Sequence, residues 1–555
     1  PNVQYNVRVT NSAGNVLAGN AALTVLAAPV APTLPNHPAT VTVIVGQVAE
    51  LSAEPAGTGP FSYQWQRDGV DIIGANGPRY ANEPTVATDA GRVYSVVVGN
   101  AAGSVTSLGT SLQVTTEWTG IREDAPLGLP QTTGRAVTTD ADGNVIVAGD
   151  MISQSGGNRF SFDNPSTRSD AWIAKYSAAG ALLWGHTSLA SGGLVTMDIA
   201  NAVAADPSGN VYVVGETSGT LPGETAAGGS DVTVMKYARD GTLLWARQFG
   251  STTDDWGYGV GVDAAGNVFV AGESYGQLPE QPPASGNLFV AKFDTHGNRL
   301  WIRQSGAGTY FGARESARSI AMDAAGAAYL GGVIVGPYAG RPGGAEDAFA
   351  AKYDTDGNLL WFTRVPGEGP DRANSIAVSG DGSAVFLTGR TYSNFDVAGF
   401  PAQSRPCCAQ TDAFVARLDG DGVLQWATNL RSVPQTTAEY FYNEAFGVAT
   451  NTTGSAVFIT GVTAGQMPGD TSKGNEDIFV ARYEADGART WVRQFGAGLP
   501  SSVVRNDAGY GIAVNGSGDV FVAGTSRGTF GTPNPNIDRP DYFVMKLRPS
   551  DGTPY

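Results

Sequence analysis

The sequence predicts an all-β protein, and three observations carry that prediction. The chain of 555 residues holds 75 Gly and 31 Pro with only 15% charged residues, a turn-dense composition with too much apolar material for disorder. Apolar and polar residues alternate over many short runs bounded by Gly, Asp and Asn, the pattern of strands joined by tight turns. Those runs recur along the chain, the mark of a repeat architecture. The net charge of -17 repels phosphate backbones, and without a basic patch to overrule it nucleic acid is not an expected partner. No segment approaches the roughly 18 apolar residues of a spanning helix, so no membrane insertion is expected in this segment. The chain opens inside what reads as the end of a domain, which puts any N-terminal signal upstream of Pro1.

A first repeat occupies residues 1–115. Tyr5-Asn-Val-Arg-Val-Thr-Asn11-Ser-Ala-Gly14 returns as Tyr94-Ser-Val-Val-Val-Gly-Asn100-Ala-Ala-Gly103. Between the copies, Tyr63-Gln-Trp65-Gln-Arg-Asp-Gly69 places a Trp in an alternating strand, and Asp89-Ala-Gly91 precedes Tyr94. The segment resembles cysteine-free bacterial immunoglobulin-like domains, with Val96 at the usual disulfide position. The resemblance implies the last strands of one such domain over 1–28 and a complete β-sandwich over 29–115. Modules of this kind are normally spacers or weak binders in extracellular chains.

The second repeat, over 116–555, is more regular. Trp118, Trp184, Trp245, Trp301, Trp361, Trp426 and Trp491 are its landmarks, and all but the first follow a turn Gly by four residues, as in Asp354-Thr-Asp-Gly357-Asn-Leu-Leu-Trp361. Upstream of each such turn lies a strand with one base: Lys175, Lys236, Lys292, Lys352, Arg417, Arg482 and Lys546. Before that comes a hairpin such as Asn201-Ala-Val-Ala-Ala-Asp206-Pro-Ser-Gly209-Asn210-Val-Tyr-Val-Val-Gly215, in which Gly supplies the positive φ of a tight turn. Each unit therefore has four antiparallel strands: a and b in the hairpin, c with the base and d with the Trp. Such a unit reads as a propeller blade.

Seven a-b-c sets occur, but the last stops before its Trp strand, while Glu117-Trp118-Thr119 stands alone ahead of the first. The expectation is a seven-bladed β-propeller closed by that N-terminal strand, which leaves no sheet edge exposed. The region resembles the bacterial β-propeller repeats called SBBP, whose units run Gly-x-x-Asp-x-x-Gly-Asn-Val-Tyr-Val-x-Gly and then Asp-x-Phe-Val-x-Lys-Tyr-Asp-x-x-Gly-x-x-x-Trp. Asn287 departs from the Asp that opens strand c at Asp231, Asp347 and Asp477, and Ala327 from the turn Asn. The resemblance implies a secreted or surface protein and does not specify a ligand.

Repeated columns mostly read as architecture. A β-branched column in strand a (Val137, Val203, Val260, Ile320, Ile376, Val448, Ile512) follows a small one (Ala136, Ala202, Gly259, Ser319, Ser375, Gly447, Gly511), which suits packing between neighbouring blades. The Lys and Arg column suits a buried stem with its head on an Asp near strand c. Asp140 to Asn144 and Asp354 to Asn358 match part of a calcium loop without its later Glu, so they read as hairpin tips. No cofactor is expected, calcium being the single candidate ion, and the sequence identifies no metal ligands.

Function should lie on the face where the variable b-c and d-a loops emerge. An acidic column of Asp198, Asp255, Glu315, Asp371 and Asp507, continued by Thr132 and Asn443, should ring the central mouth there. These carboxylates read either as caps of their own loops or as a site for a cation, an amine or sugar hydroxyls. Arg135, Tyr258, Arg318, Phe446 and Tyr510 open strand a beside them, with Trp256 adjacent. The candidate ligand-binding set is Asp198, Asp255, Trp256, Tyr258, Glu315, Arg318, Asp371, Asp507 and Tyr510, since aromatic faces stack on sugar C–H groups while oxygens take the hydroxyls. Cys407 and Cys408, in the longest b-c loop, form a candidate vicinal disulfide in an oxidising compartment.

That cysteine pair keeps a quinoprotein enzyme as an alternative, since quinoprotein alcohol dehydrogenases are similar in their propeller blades and vicinal disulfide. Against it stand the blade count, a shorter Asp-to-Gly turn and the lack of a calcium and quinone ligand set. A glycosidase is the other enzymatic alternative, but no spacing identifies an acid and a base. No catalytic residue is assigned. The expected protein is non-enzymatic and extracellular or cell-surface, a propeller head on an immunoglobulin-like stalk that binds a glycan or protein. The alternative partner is further copies of itself, in a filament or coat.

Overall fold

The fold follows from the hairpins that both repeats encode. The computed structural model describes residues 3–5, 7–17, 21–23, 28–36, 41–44, 49–82, 87–115, 121–122, 132–152, 169–187, 197–282, 287–305, 315–335, 346–365, 367, 369–392, 395, 411–432, 442–471, 476–496, 507–527 and 541–555. Among them every regular element is a β-strand except a 3-10 turn at Ala87–Asp89. The chain divides into two compact units, Pro1–Glu117 and Trp118–Tyr555.

In the N-terminal unit the sequence repeat is also a repeat of register. Asn11 pairs with Gly14 and Arg8 with Leu17, as Asn100 pairs with Gly103 and Val97 with Thr106. In both turns the Asn side-chain oxygen accepts the backbone amide two residues on, from Ala13 and Ala102, at 2.9 Å, the Asx geometry that makes Asn a turn residue. The main sheet runs Val41–Ile44, Thr110–Thr115, Val93–Asn100, Ser62–Arg67 and Val70–Asp71. A smaller one pairs Glu50–Ser52 with Arg79–Ala81. Trp65 is fully buried opposite Val96. Its indole donates to Gly77 O at 3.0 Å and lies 6.0 Å from the Tyr80 ring, so the buried N–H is satisfied.

In the C-terminal unit the described strands form seven four-stranded antiparallel sheets. The first comprises Thr132–Thr139, Val145–Ile152, Ser169–Tyr176 and Leu182–Thr187 as strands a to d. The next five open with strands a at Asp198–Ala205, Asp255–Val262, Ser316–Met322, Asp371–Val378 and Asn443–Thr450. The seventh holds Ala508–Val514, Val520–Ser526 and Asp541–Leu547, and its fourth place is taken by Ile121–Arg122, paired with Met545 and Val544. The sequence had suggested Glu117-Trp118-Thr119 for that place; the observed partner lies further on, and Glu117 to Thr119 fall outside the described residues.

Successive a strands pack on one another in chain order, and the strand at Ala508–Val514 packs on that at Thr132–Thr139. The small column explains how closely. Ser319 Oγ accepts the Ile376 amide at 3.3 Å and Ser375 Oγ the Val448 amide at 3.2 Å. A Cβ on Gly511 would sit 2.8 Å from Val137 N. Further out, in five of the described sheets the base and the Trp converge on a single carbonyl of the next. Lys292 and Trp301 donate to Thr355 O at 3.1 and 3.2 Å, and Arg417 and Trp426 to Ala485 O at 3.1 and 2.9 Å. Base and Trp are cross-strand partners, which is why the two columns keep constant spacing. The turn Gly of the next sheet then rests on that Trp: a Cβ on Gly357 would lie 3.0 Å from the Trp301 ring. The Lys175 head meets Asp140 Oδ2 at 2.9 Å, both side chains fully buried.

Candidate functional site

Every a strand carries a β-bulge at the same place. The register slips at Arg135, Asn201, Tyr258, Arg318, Asn374, Phe446 and Tyr510, each an extra residue between two small ones. A bulge turns its extra side chain away from the regular ladder, and all seven are partly exposed. The opposing b strand carries a Gly at Gly149, Gly215, Gly272, Gly332, Gly389, Gly461 and Gly524. Any Cβ there would collide with the strand a carbonyl, for instance Gly215 with Ile199 O. Because the a strands pack serially, these seven side chains occupy equivalent positions on successive sheets.

Most of these side chains are internally satisfied. Arg135 Nε donates to Asp150 Oδ1 at 2.5 Å. Asn201 Nδ2 donates to Glu216 Oε2 at 3.2 Å and to Gly257 O at 3.0 Å, and Asn374 Nδ2 to Glu444 Oε1 and Ala445 O at 2.8 and 2.9 Å. The asparagines thereby tie one sheet to the bulge of the next. The Phe446 and Tyr510 rings meet at 5.2 Å. Tyr258 lies 6.4 Å from the Trp256 ring, which meets Tyr275 edge-on at 5.1 Å. Among the described residues, the Tyr258 and Tyr510 hydroxyls and the Arg318 guanidinium make no hydrogen bond or ion pair, and Arg318 Nε is buried without one.

On the b strands and bulges the charges are unevenly spread, with Arg135 alone basic in the first three sheets. Asp150, Glu216 and Glu273, all buried, come from the first three sheets, and Arg318, Arg372 and Arg390 from the fourth and fifth. Arg372 grips Glu346 with two nitrogens at 2.9 and 2.7 Å, and Arg390 lies 3.6 Å from Glu444. Burial pushes the Glu216 carboxyl up to about 7, against the pull of Arg135 and the Asn201 hydrogen bond. Burial also raises the Tyr258 hydroxyl and, joined by the neighbouring Arg372, lowers Arg318. Burial alone would lower Arg135, but Asp150 more than offsets it.

The acidic column follows the capping alternative wherever its contacts are described. Asp198, Asp255, Glu315, Asp371 and Asp507 are all buried. Asp198 and Asp371 accept the hydroxyls of Thr217 and Thr391, and Asp507 that of Ser526 at 2.7 Å. Asp255 takes the Ser251 amide and hydroxyl at 2.6 and 3.0 Å. These oxygens tie the start of strand a to strand b or to the incoming loop. Trp256, Tyr258, Arg318 and Tyr510 from the candidate set are the ones left partly exposed. Residue reading missed Asn201, Asn374, Glu216, Glu273, Arg372, Arg390 and Glu444; a variable large residue between two small ones was the available signal for the bulge positions.

The remaining candidates are structural where described. Asp140 accepts the Asp142 and Asn144 amides and the Asn144 side chain, besides Lys175, and Asp354 holds its turn likewise. Among the described residues no three His, Cys, Asp or Glu side chains group as a metal site. His186 Nε2 donates to Gly241 O at 2.8 Å, and the imidazole stacks on Tyr237 at 5.1 Å. Cys407 and Cys408 lie outside the described residues. In the N-terminal unit a shallow open hollow is lined by Phe61, Ser62, Asn100 and Ser104 and holds no charged group.

Residues 192–222 and 244–279 match the SBBP β-propeller repeat model, which supports a propeller-repeat fold in the sheets that hold them. Over 239 residues, 38% of this chain, it is 29% identical to a regulatory protein, FlaEY, of Caulobacter vibrioides. Over 293 residues, 48% of this chain, it is 23% identical to an uncharacterised WD repeat-containing protein of Acanthamoeba polyphaga mimivirus. The matches cover 24% and 18% of those two relatives. Among solved structures, a quinoprotein alcohol dehydrogenase-like protein of Bacteroides thetaiotaomicron aligns over 84% of this chain and 96% of its own, at 10% identity and a TM-score of 0.30. A chimeric titin Z1Z2 aligns over 16% of this chain and all of its own, at 27% identity and a TM-score of 0.15.

Proposed function

We propose that this is a non-enzymatic, extracellular or cell-surface binding protein. Its seven sheets form a closed seven-bladed propeller head, with Ile121–Arg122 as the clasp, and its N-terminal unit is an immunoglobulin-like stalk. The head takes a glycan or a protein segment at the bulge ring. One observation carries this reading: the ring is built from an architectural device repeated in all seven sheets, yet it carries four residue types (Arg, Asn, Tyr and Phe) in no sevenfold order, and the Tyr258 and Tyr510 hydroxyls and the Arg318 guanidinium are left without hydrogen-bond partners among the described residues. Support for packing alone needs no such variety, whereas an asymmetric ligand does. The test is a glycan array and a surface-protein panel probed with the full chain and with Tyr258→Phe and Tyr510→Phe. Binding lost in folded variants supports the head; unchanged binding moves the site elsewhere.

Self-assembly is a second reading, favoured by the outer strands. Leu182, Leu183, Leu243, Leu244, Leu359 and Leu360 on strands d are exposed, on sheet edges that are templates for pairing. Light scattering over a concentration series separates the two, since a stable monomer at high concentration removes the assembly reading.

A further inference from the structure

We propose that the mouth takes a sugar bearing a single carboxylate, with Arg318 as the anion's anchor and Trp256 and Tyr258 as its stacking face. The inference rests on the binding-head reading and narrows it to a ligand class. Four arginines stand around the mouth, and three are matched: Arg135 by Asp150, Arg372 by Glu346 and Arg390 by Glu444. Arg318 is not, among the described residues. Its Nε is buried without a partner, whereas the guanidinium is a planar fork suited to bidentate carboxylate recognition. A buried donor left without an acceptor is unfavourable, and the downward pull of burial on Arg318 has the same cause.

The neighbours define what fits. Arg372 adds positive field on one side of Arg318, and Tyr258 offers a hydroxyl without a partner on the other. Trp256, Tyr258 and Tyr275 make an aromatic cluster whose Tyr258 lies within electrostatic range of Arg318, and aromatic faces with a polar tip suit an amphipathic ring. Glu273 and Glu444 lie within electrostatic range of Arg318 but not at ion-pair distance. They oppose a second negative charge, so a monocarboxylate is favoured over a phosphate dianion or a sulfated polymer. The chain's net charge of -17 acts in the same direction.

The experiment is a ligand-observed NMR titration of the full chain with methyl β-D-glucuronide, with the methyl ester of that glucuronide and with methyl β-D-glucoside. The acid is expected to bind at least tenfold tighter than the ester and the glucoside. Arg318→Met should abolish that preference and Arg318→Lys should keep part of it, with unchanged circular dichroism and melting. Equal binding of acid and ester overturns the inference and leaves a sugar-binding head. Binding of neutral array glycans but of none of these three also overturns it alone. Silence towards every glycan removes the inference together with the glycan form of the binding-head reading. Should Arg318→Met not fold, the acid-to-ester ratio on the unaltered protein decides by itself.

Discussion

Glu216 shows what the bulge ring costs. Burial holds its carboxyl near about 7, so between its ordinary value and that point the unfolded chain has released a proton that the folded chain retains. Stability from this group is therefore complete at pH 4 and is lost as pH rises towards 7, by on the order of 3 kcal/mol. Glu216→Gln is expected to flatten urea-derived stability across that window, and an unaltered slope would remove Glu216 as its source. The partners of the group are the Asn201 amide, Arg135, Asp150 and Asp254. The candidate site was half legible at this scale. Tyr258, Arg318 and Tyr510 could be picked out as large side chains opening strand a. Asn201 and Asn374 could not, because an amide in a strand signals nothing until a bulge turns it towards the next sheet. In the acidic column Asp198, Asp255, Asp371 and Asp507 accept hydroxyls or amides of their own sheet or incoming loop, the capping alternative that the sequence already offered.

At the scale of elements, the c and d strands and their turn act as one joint between sheets. Gly357 has φ +80 and would place a Cβ 3.0 Å from the Trp301 ring. Gly357→Ala should cost about 1–3 kcal/mol by backbone strain plus whatever the displaced indole loses at Thr355 O. Gly469, at φ +86 with open space around its Cβ position, isolates the strain, so Gly469→Ala should cost less by chemical denaturation. Equal losses would show that the Trp contact adds nothing. Lys175 and Asp140 form a fully buried pair, and Lys175→Met leaves the carboxylate unmatched, a loss of about 3–5 kcal/mol. The exposed pair of Arg299 and Glu280 should lose under about 1 kcal/mol in Arg299→Met. Both columns were legible in the sequence because they recur; their shared acceptor was not, since it lies on another sheet.

At the scale of the molecule, the seventh sheet joins strands from the two ends of the C-terminal unit. Ile121–Arg122 is separated from Met545 and Val544 by nearly the whole C-terminal unit, and Tyr176 reaches Tyr542 by a 2.6 Å hydroxyl contact. Replacing Ile121 and Arg122 by Pro removes two ladder amides, and the exposed edge should lower the melting temperature and add oligomers on size exclusion. A monomer of unchanged melting temperature would show that this pairing does not hold the unit together. What the sequence determined by itself was whatever repeats or is local: the all-β class, the hairpin turns at Asp140 and Asp354, the small and branched columns, and the candidate aromatic and basic side chains. Such features follow from φ preferences and from alternation, which act over a few residues. Only the tertiary structure decided which strand fills the seventh sheet, which carbonyl a base and a Trp share, and that among the described residues Arg318 stands unmatched while Arg372 and Arg390 are paired. Those are relations between distant segments, and an ion pair or a burial penalty exists only once folding has brought its partners together or kept them apart.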